Sequence, residues 1–187
     1  MKKKILLFAL IAICLSIAAY GTLAYFTYED TATNVIVVGN VRIALHEWKL
    51  TDGGEKIPFE GAMDVMPGVS VSKIVEVENV GRNAAWIRIS VTKAIELAAG
   101  RQGEVDLSLI KLDLNTEYWT ELDGYYYYNE ALQPGQTTEP LFNQISFDCS
   151  MGNLYQQSKA TMTVQAQAVQ VANNGATVFE AAGWPVN

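Results

Sequence analysis

Ala160-Thr161-Met162-Thr163-Val164-Gln165-Ala166-Gln167-Ala168 is the stretch on which the fold turns. Apolar residues hold every even position and polar residues every odd one. A period of two sends the first set to one face of a β-strand and the second set to the other. Asn173-Asn174-Gly175 ends the run with turn chemistry. Working outward, the same alternation recurs in short pieces. Ala85, Ile87, Ile89 and Val91 alternate with Trp86, Arg88, Ser90 and Thr92. Val69, Val71, Val75 and Val77 share a face, although Lys73 and Ile74 break the pattern. With Asn79 to Asn83 as the connection, these two runs read as an antiparallel hairpin. Val41 to Leu45 alternates as well. It follows Val35 to Val38 across Gly39-Asn40, either as one kinked strand or as two. Ile110, Leu112 and Leu114 give another strand, and Leu141 to Phe147 a further candidate. Asp123-Gly124 before Tyr125-Tyr126-Tyr127-Tyr128 is a type I′ hairpin signal. Met66-Pro67-Gly68 and Gln133-Pro134-Gly135-Gln136 are turns, as is Thr51-Asp52-Gly53-Gly54. Residues 94–106 and 176–182 are expected to hold short helical pieces. The whole predicts an all-β chain, a β-sandwich of jelly-roll type with short helical insertions.

The chain has 187 residues, enough for one domain and a leader. Lys2, Lys3 and Lys4 precede an apolar run from Ile5 to Ala19, and small residues follow at Gly21, Thr22 and Ala24. That layout predicts a secretory signal peptide over residues 1–24, cut between Ala24 and Tyr25. The other reading of the leader is an uncleaved anchor, since apolar residues run on to Phe26. Loss of the leader removes three of the 13 basic residues and none of the 20 acids, leaving 10 against 20, a formal charge of −10. Such a balance argues against nucleic acid, which demands a basic patch, and suits a secreted protein. Cys14 goes with the leader. Cys149 is then alone, and is expected to be a buried small hydrophobe.

Catalytic equipment is sparse. His46 is the one histidine and stands before Glu47, but position 50 is leucine, so the two-histidine zinc motif is missing. No P-loop, dinucleotide fingerprint or nucleophile elbow occurs. The aspartates Asp52, Asp64, Asp106, Asp113, Asp123 and Asp148 lack the spacing of a calcium loop. No catalytic residue, metal ligand or cofactor is assigned. The tyrosines at 125–128 send two rings to each face of a strand. One pair is expected in the core and the other over a face, with an aromatic binding surface as the alternative.

Gly21-Thr22-Leu23-Ala24-Tyr25-Phe26, Thr31-Ala32-Thr33-Asn34 and Gly39-Asn40-Val41 resemble the N-terminus of the TasA/camelysin family of exported biofilm-matrix proteins. Pro67-Gly68, then Val75-Glu76-Val77-Glu78-Asn79 and Gly81, resembles a second stretch of that family, and Thr161 to Ala168 its closing strand. The similarity is spread over most of the chain, and the leader junction is its most specific part. It implies a jelly roll released by a dedicated signal peptidase at Ala24, located in the extracellular matrix or at the cell surface. It further implies fibres built by donor-strand exchange between copies of the chain, with an anchor or minor subunit as further partners. The donor residues would be Tyr25, Phe26, Thr27, Tyr28, Glu29, Asp30, Thr31, Ala32, Thr33 and Asn34. The resulting layout is a leader at 1–24, a donor segment at 25–38 and a sandwich at 39–187. Physically, donor-strand exchange is β-augmentation: an extended peptide pairs with an open sheet edge and fills a groove with alternate side chains. Phe26 and Tyr28 are expected toward the groove, with Val35 and Val37 continuing the strand. Two other readings stand beside it: a secreted monomeric binding module using the tyrosine face, and a camelysin-like metallopeptidase.

Overall fold

The computed structural model describes residues 35–38 and 41–185. The segment Tyr25 to Asn34 and the Ala24–Tyr25 junction lie outside the described residues. The described chain is all-β, with two single turns of 3-10 helix at Leu107–Leu109 and Asn153–Tyr155. The strands are β1 (Val35–Val38), β2 (Ile43–Leu50), β3 (Lys56–Pro58), β4 (Met63–Asp64), β5 (Ser70–Ser72) and β6 (Ile74–Asn79). They continue with β7 (Ala85–Glu96), β8 (Ile110–Leu112), β9 (Trp119–Leu122), β10 (Tyr125–Tyr128), β11 (Gln144–Phe147) and β12 (Lys159–Gln170).

A large sheet runs β1-β12-β7-β10-β9, with β4 also paired to β12. The smaller sheets are β3-β2-β6 and β5-β11-β8. The segment 136–143 knits these two together. It bonds along β6 through Asn79 N to Gln136 O, Thr138 N to Val77 O and Leu141 N to Val75 O. Ile87, Ile89, Val164 and Ala166 from the large sheet share one core with Val75, Val77, Ile145 and Phe147 from the other two. The alternation in the sequence thus has its expected cause: even positions of β12 from Ala160 to Ala168 are buried in that core.

β7 and β12 are the backbone of the large sheet, paired antiparallel over all twelve residues from Lys159↔Glu96 to Gln170↔Ala85. The expected hairpin of β6 with β7 does not form. β6 pairs with β2, while β7 pairs with β12 and β10. The connection between them crosses from one layer to the other. Asn79, fully buried, holds it: its amide donates to the carbonyls of Asn83 (2.9 Å) and Leu132 (2.8 Å), and its oxygen accepts from Gly81 N (3.0 Å). Gly81 lies so close to Arg42 that a Cβ there would meet the Arg42 nitrogen at 2.9 Å. Val35–Val38 and the strand from Ile43 are likewise separate and belong to different sheets.

The break at Lys73 has a physical reason. β5 and β6 lie in different smaller sheets, and the chain changes sheet at this residue. Lys73 is 2% exposed, its ammonium paired with Glu47 and 3.9 Å from the centre of the Phe59 ring. Such a charge is retained inside because it is paired.

Other expectations need correction. Residues 94–96 continue β7, and the single turn of 3-10 helix follows later at Leu107–Leu109. Residues 176–182 form turns rather than a helix. Cys149 is exposed, not buried, because it sits in the turn where Asp148 accepts from Ser150 N (2.9 Å). Asp123 and Gly124 have φ of 52° and 79°, the left-handed pair that a type I′ hairpin requires.

Candidate strand-acceptor edge

β12 has two edges. One is fully taken by β7. The other meets β4 at its start, with Lys159↔Asp64 and Ala160↔Met63, and β1 toward its end, with Val35↔Ala166 to Val38↔Val169 in parallel register. Among the described residues nothing pairs with that edge over Thr161–Gln165. β4 and β1 therefore bracket a slot of five residues, about 16 Å long at the usual rise per residue. Met162 and Val164 point from its floor into the core; Thr161 and Thr163 face outward and are exposed.

Beyond the β4 end lies a cleft of about 710 Å³, lined by Val65, Met66, Pro67 and Met151 together with Asn153, Gln156 and Gln157. Asp64 and Lys159 also line it and form an ion pair at 2.5 Å. Met151 is buried, whereas Met66 is 49% exposed. The volume is in the range of small-ligand pockets, and the lining mixes apolar with polar and charged side chains.

The opposite half of the outer face is covered by the chain's own C-terminal segment. Trp86, Tyr127, Val169 and Val178 form a second apolar cluster with Tyr125 and Trp184 packed against it. Arg88 is its polar centre and is 8% exposed. The guanidinium donates to Gln167 Oε1 (2.7 Å), the Tyr127 hydroxyl (3.2 Å) and the Pro185 carbonyl (3.2 Å). It lies 3.8 Å from the Tyr125 ring centre and 4.6 Å from that of Trp184. Trp86 Nε1 donates to Asn174 O (3.0 Å), anchoring the start of the segment. The tyrosine run divides as its alternation predicts. Tyr126 and Tyr128 face the main core, and Tyr125 and Tyr127 the covered outer face. Burial raises the phenol pKa of both Tyr126 and Tyr128, and the Glu121 carboxylate adds to the rise at Tyr126.

The remaining polar groups form structural pairs. His46 Nε2 lies 2.9 Å from Glu78 Oε2, with its ring stacked on Trp48. Burial lowers the Lys93 amine, which donates to Ile110 O (2.7 Å). Lys111 holds the half-buried Asp148 carboxyl far below the usual range, with the Ser150 backbone N–H adding to the effect. Among the described residues, no group of three or more His, Cys, Asp or Glu side chains is placed to hold a metal ion.

The expected donor residues, Tyr25 to Asn34, lie outside the described residues, and the sequence carried no signal for the bracketed edge of β12. Met63 and Asp64 carry no strand signal of their own, and their pairing with Lys159 and Ala160 spans almost a hundred residues. Arg88 looked like any outward residue of an alternating strand. Comparison of the chain with family models, curated proteins and solved structures gives no match.

Proposed function

We propose that this chain is a non-enzymatic structural subunit of extracellular fibres, secreted by way of an N-terminal signal peptide. Its β-sandwich is read as a jelly roll. Copies join head to tail when the segment Tyr25 to Asn34 of one, freed by cleavage after Ala24, adds to the sheet edge of the next. The observation that carries this reading is the bracketed slot on β12, five residues of strand edge over an apolar floor with no partner among the described residues. The resemblance of Gly21 to Phe26, and of Pro67-Gly68 with Val75 to Asn79 and Gly81, to exported matrix proteins supports it.

A strand added there forms ladder bonds worth about 0.5–1.5 kcal/mol each and buries alternate side chains against Met162 and Val164. A contact that does not close on itself propagates as a filament. A chain that fills its own slot stays monomeric instead, so assembly state is the readout. The chain beginning at Tyr25 should form filaments by negative-stain microscopy. The chain beginning at Val35 should remain monomeric and bind a synthetic peptide of residues 25–34. Equal filament yield from the two chains would sink the donor-strand reading.

A further inference from the structure

We propose that Asn174-Gly175 is a deamidation site that works as a one-way latch on the C-terminal segment. While the segment lies docked, the asparagine is protected. Once the segment opens, conversion of the asparagine prevents it from docking as before. The pair occurs once in the sequence, and every other asparagine that has a following residue is followed by one with a side chain. Glycine in that place removes the steric shield around the backbone nitrogen that attacks the side-chain amide. Neither step depends on how copies of the chain assemble.

The fold itself calls for this labile pair. Asn174 N donates to Val171 O (3.0 Å), and the Asn174 carbonyl accepts from Trp86 Nε1 (3.0 Å). The side chain closes a loop onto Ala182: Nδ2 donates to the Ala182 carbonyl (3.0 Å) and Oδ1 accepts from Ala182 N (2.8 Å). A primary amide fills both roles at once, and a carboxylate cannot. Gly175 has φ of 74°, and a Cβ there would stand 2.8 Å from the Glu180 carbonyl carbon and 3.0 Å from Ala181 N. A side chain has no room at that position. The loop so closed carries Val178, 1% exposed, into the apolar cluster of Trp86, Tyr127 and Val169.

The reaction needs only water. The Gly175 nitrogen forms a bond to Asn174 Cγ, the Cγ–Nδ2 bond breaks, and ammonia leaves with the proton that the Gly175 nitrogen gives up. The cyclic imide then takes up water and opens to aspartate or isoaspartate, with nothing oxidised or reduced. In the docked segment the amide is held by both bonds to Ala182, so attack awaits local opening. Afterwards aspartate lacks the donor, and a carboxylate oxygen faces the Ala182 carbonyl. Isoaspartate instead adds a backbone carbon beside Gly175, where the Glu180 backbone leaves no space. Either product weakens the closure and uncovers Trp86, Tyr127 and Val169, an apolar patch on the large sheet.

The test ages the purified chain in mildly alkaline buffer, folded and in urea. Peptide mapping by mass spectrometry follows conversion at each asparagine and separates aspartate from isoaspartate. Trp86→Phe, which keeps an aromatic ring but not the bond to the Asn174 carbonyl, and Asn174→Asp, which installs one product, are treated alike. Circular dichroism checks that the sandwich is intact. In urea, Asn174 should convert ahead of every other asparagine. In the folded chain it should convert at least about tenfold more slowly, the factor that about 1.4 kcal/mol of docking gives, and Trp86→Phe should recover part of that difference. Asn174→Asp should be cut within residues 176–185 about tenfold faster than the unaltered chain. Equal rates of conversion in the folded chain and in urea would overturn the protection. Cutting of Asn174→Asp at the unaltered rate would overturn the latch. Should Asn174→Asp not fold, proteolysis of aged against fresh wild-type chain decides the same point.

Discussion

Replacing Arg88 tests what holds the C-terminal segment against the large sheet. The guanidinium is 8% exposed and donates three hydrogen bonds, to Gln167, Tyr127 and Pro185. Bonds from a charged donor contribute roughly 1.5–3 kcal/mol each. Its position over Tyr125 and Trp184 adds about 0.5–2 kcal/mol per ring. Against this stands the cost of taking a cation out of water, several kcal/mol even in a favourable site. The net expected for Arg88→Met, which keeps the apolar volume, is a loss of about 2–4 kcal/mol. Arg88→Lys keeps the charge but not the planar fork that reaches three acceptors at once, and should recover less than half of the loss. Urea unfolding followed by circular dichroism measures the stability. Limited proteolysis measures the segment itself: cleavage within residues 176–185 should accelerate well before the domain unfolds. A change below about 0.5 kcal/mol with unaltered proteolysis would refute the assignment of Arg88 as the anchor, since that is the range of an ordinary surface substitution.

Two further outcomes follow from the packing. Gly81→Ala forces a Cβ to within 2.9 Å of the Arg42 backbone and should cost about 1–3 kcal/mol in urea unfolding, whereas Gly152→Ala, with open space at its Cβ, should change little. Tyr126 and Tyr128 have raised folded-state pKa values, so their contribution to stability is complete below the ordinary phenol pKa of about 10 and is lost as pH rises through the folded values. Absorbance of tyrosinate between pH 10 and 12 should therefore show these phenols ionising late, together with unfolding. Tyr126→Phe with Tyr128→Phe should move the alkaline transition upward, and no movement would refute it.

Local pattern carried the faces of the strands but not their neighbours. The Asp123-Gly124 turn was legible because two adjacent residues determine it. The alternation of β12 was legible because burial on one face is written at every second position. The hairpin expected between β6 and β7 failed for the same reason that alternation succeeded. Period two says which side chains are buried, and says nothing about which strand lies alongside. What decides the crossing is buried Asn79 bonding to Leu132, together with the close approach of Gly81 to Arg42, contacts of long sequence separation. The slot is hidden at the same level. Among the described residues it is bounded by β4 and β1, which meet one edge of β12 from distant parts of the chain.

The composition of that slot completes the argument. Edge strands of soluble proteins are guarded by charged side chains, proline or bulges, because bare ladder groups recruit other strands. Thr161-Met162-Thr163-Val164-Gln165 has no charged residue and no proline, and its threonines and valine favour extended structure. Its continuous twelve-residue pairing with β7 leaves no bulge to turn it away. Charge appears only at the rim, in the Lys159–Asp64 pair. Under the proposed function, an edge of this composition, bounded among the described residues by β4 and β1, suits a short added strand rather than sheet-to-sheet aggregation. A five-residue edge between two fixed ends cannot pair with another long edge without displacing β1 or β4.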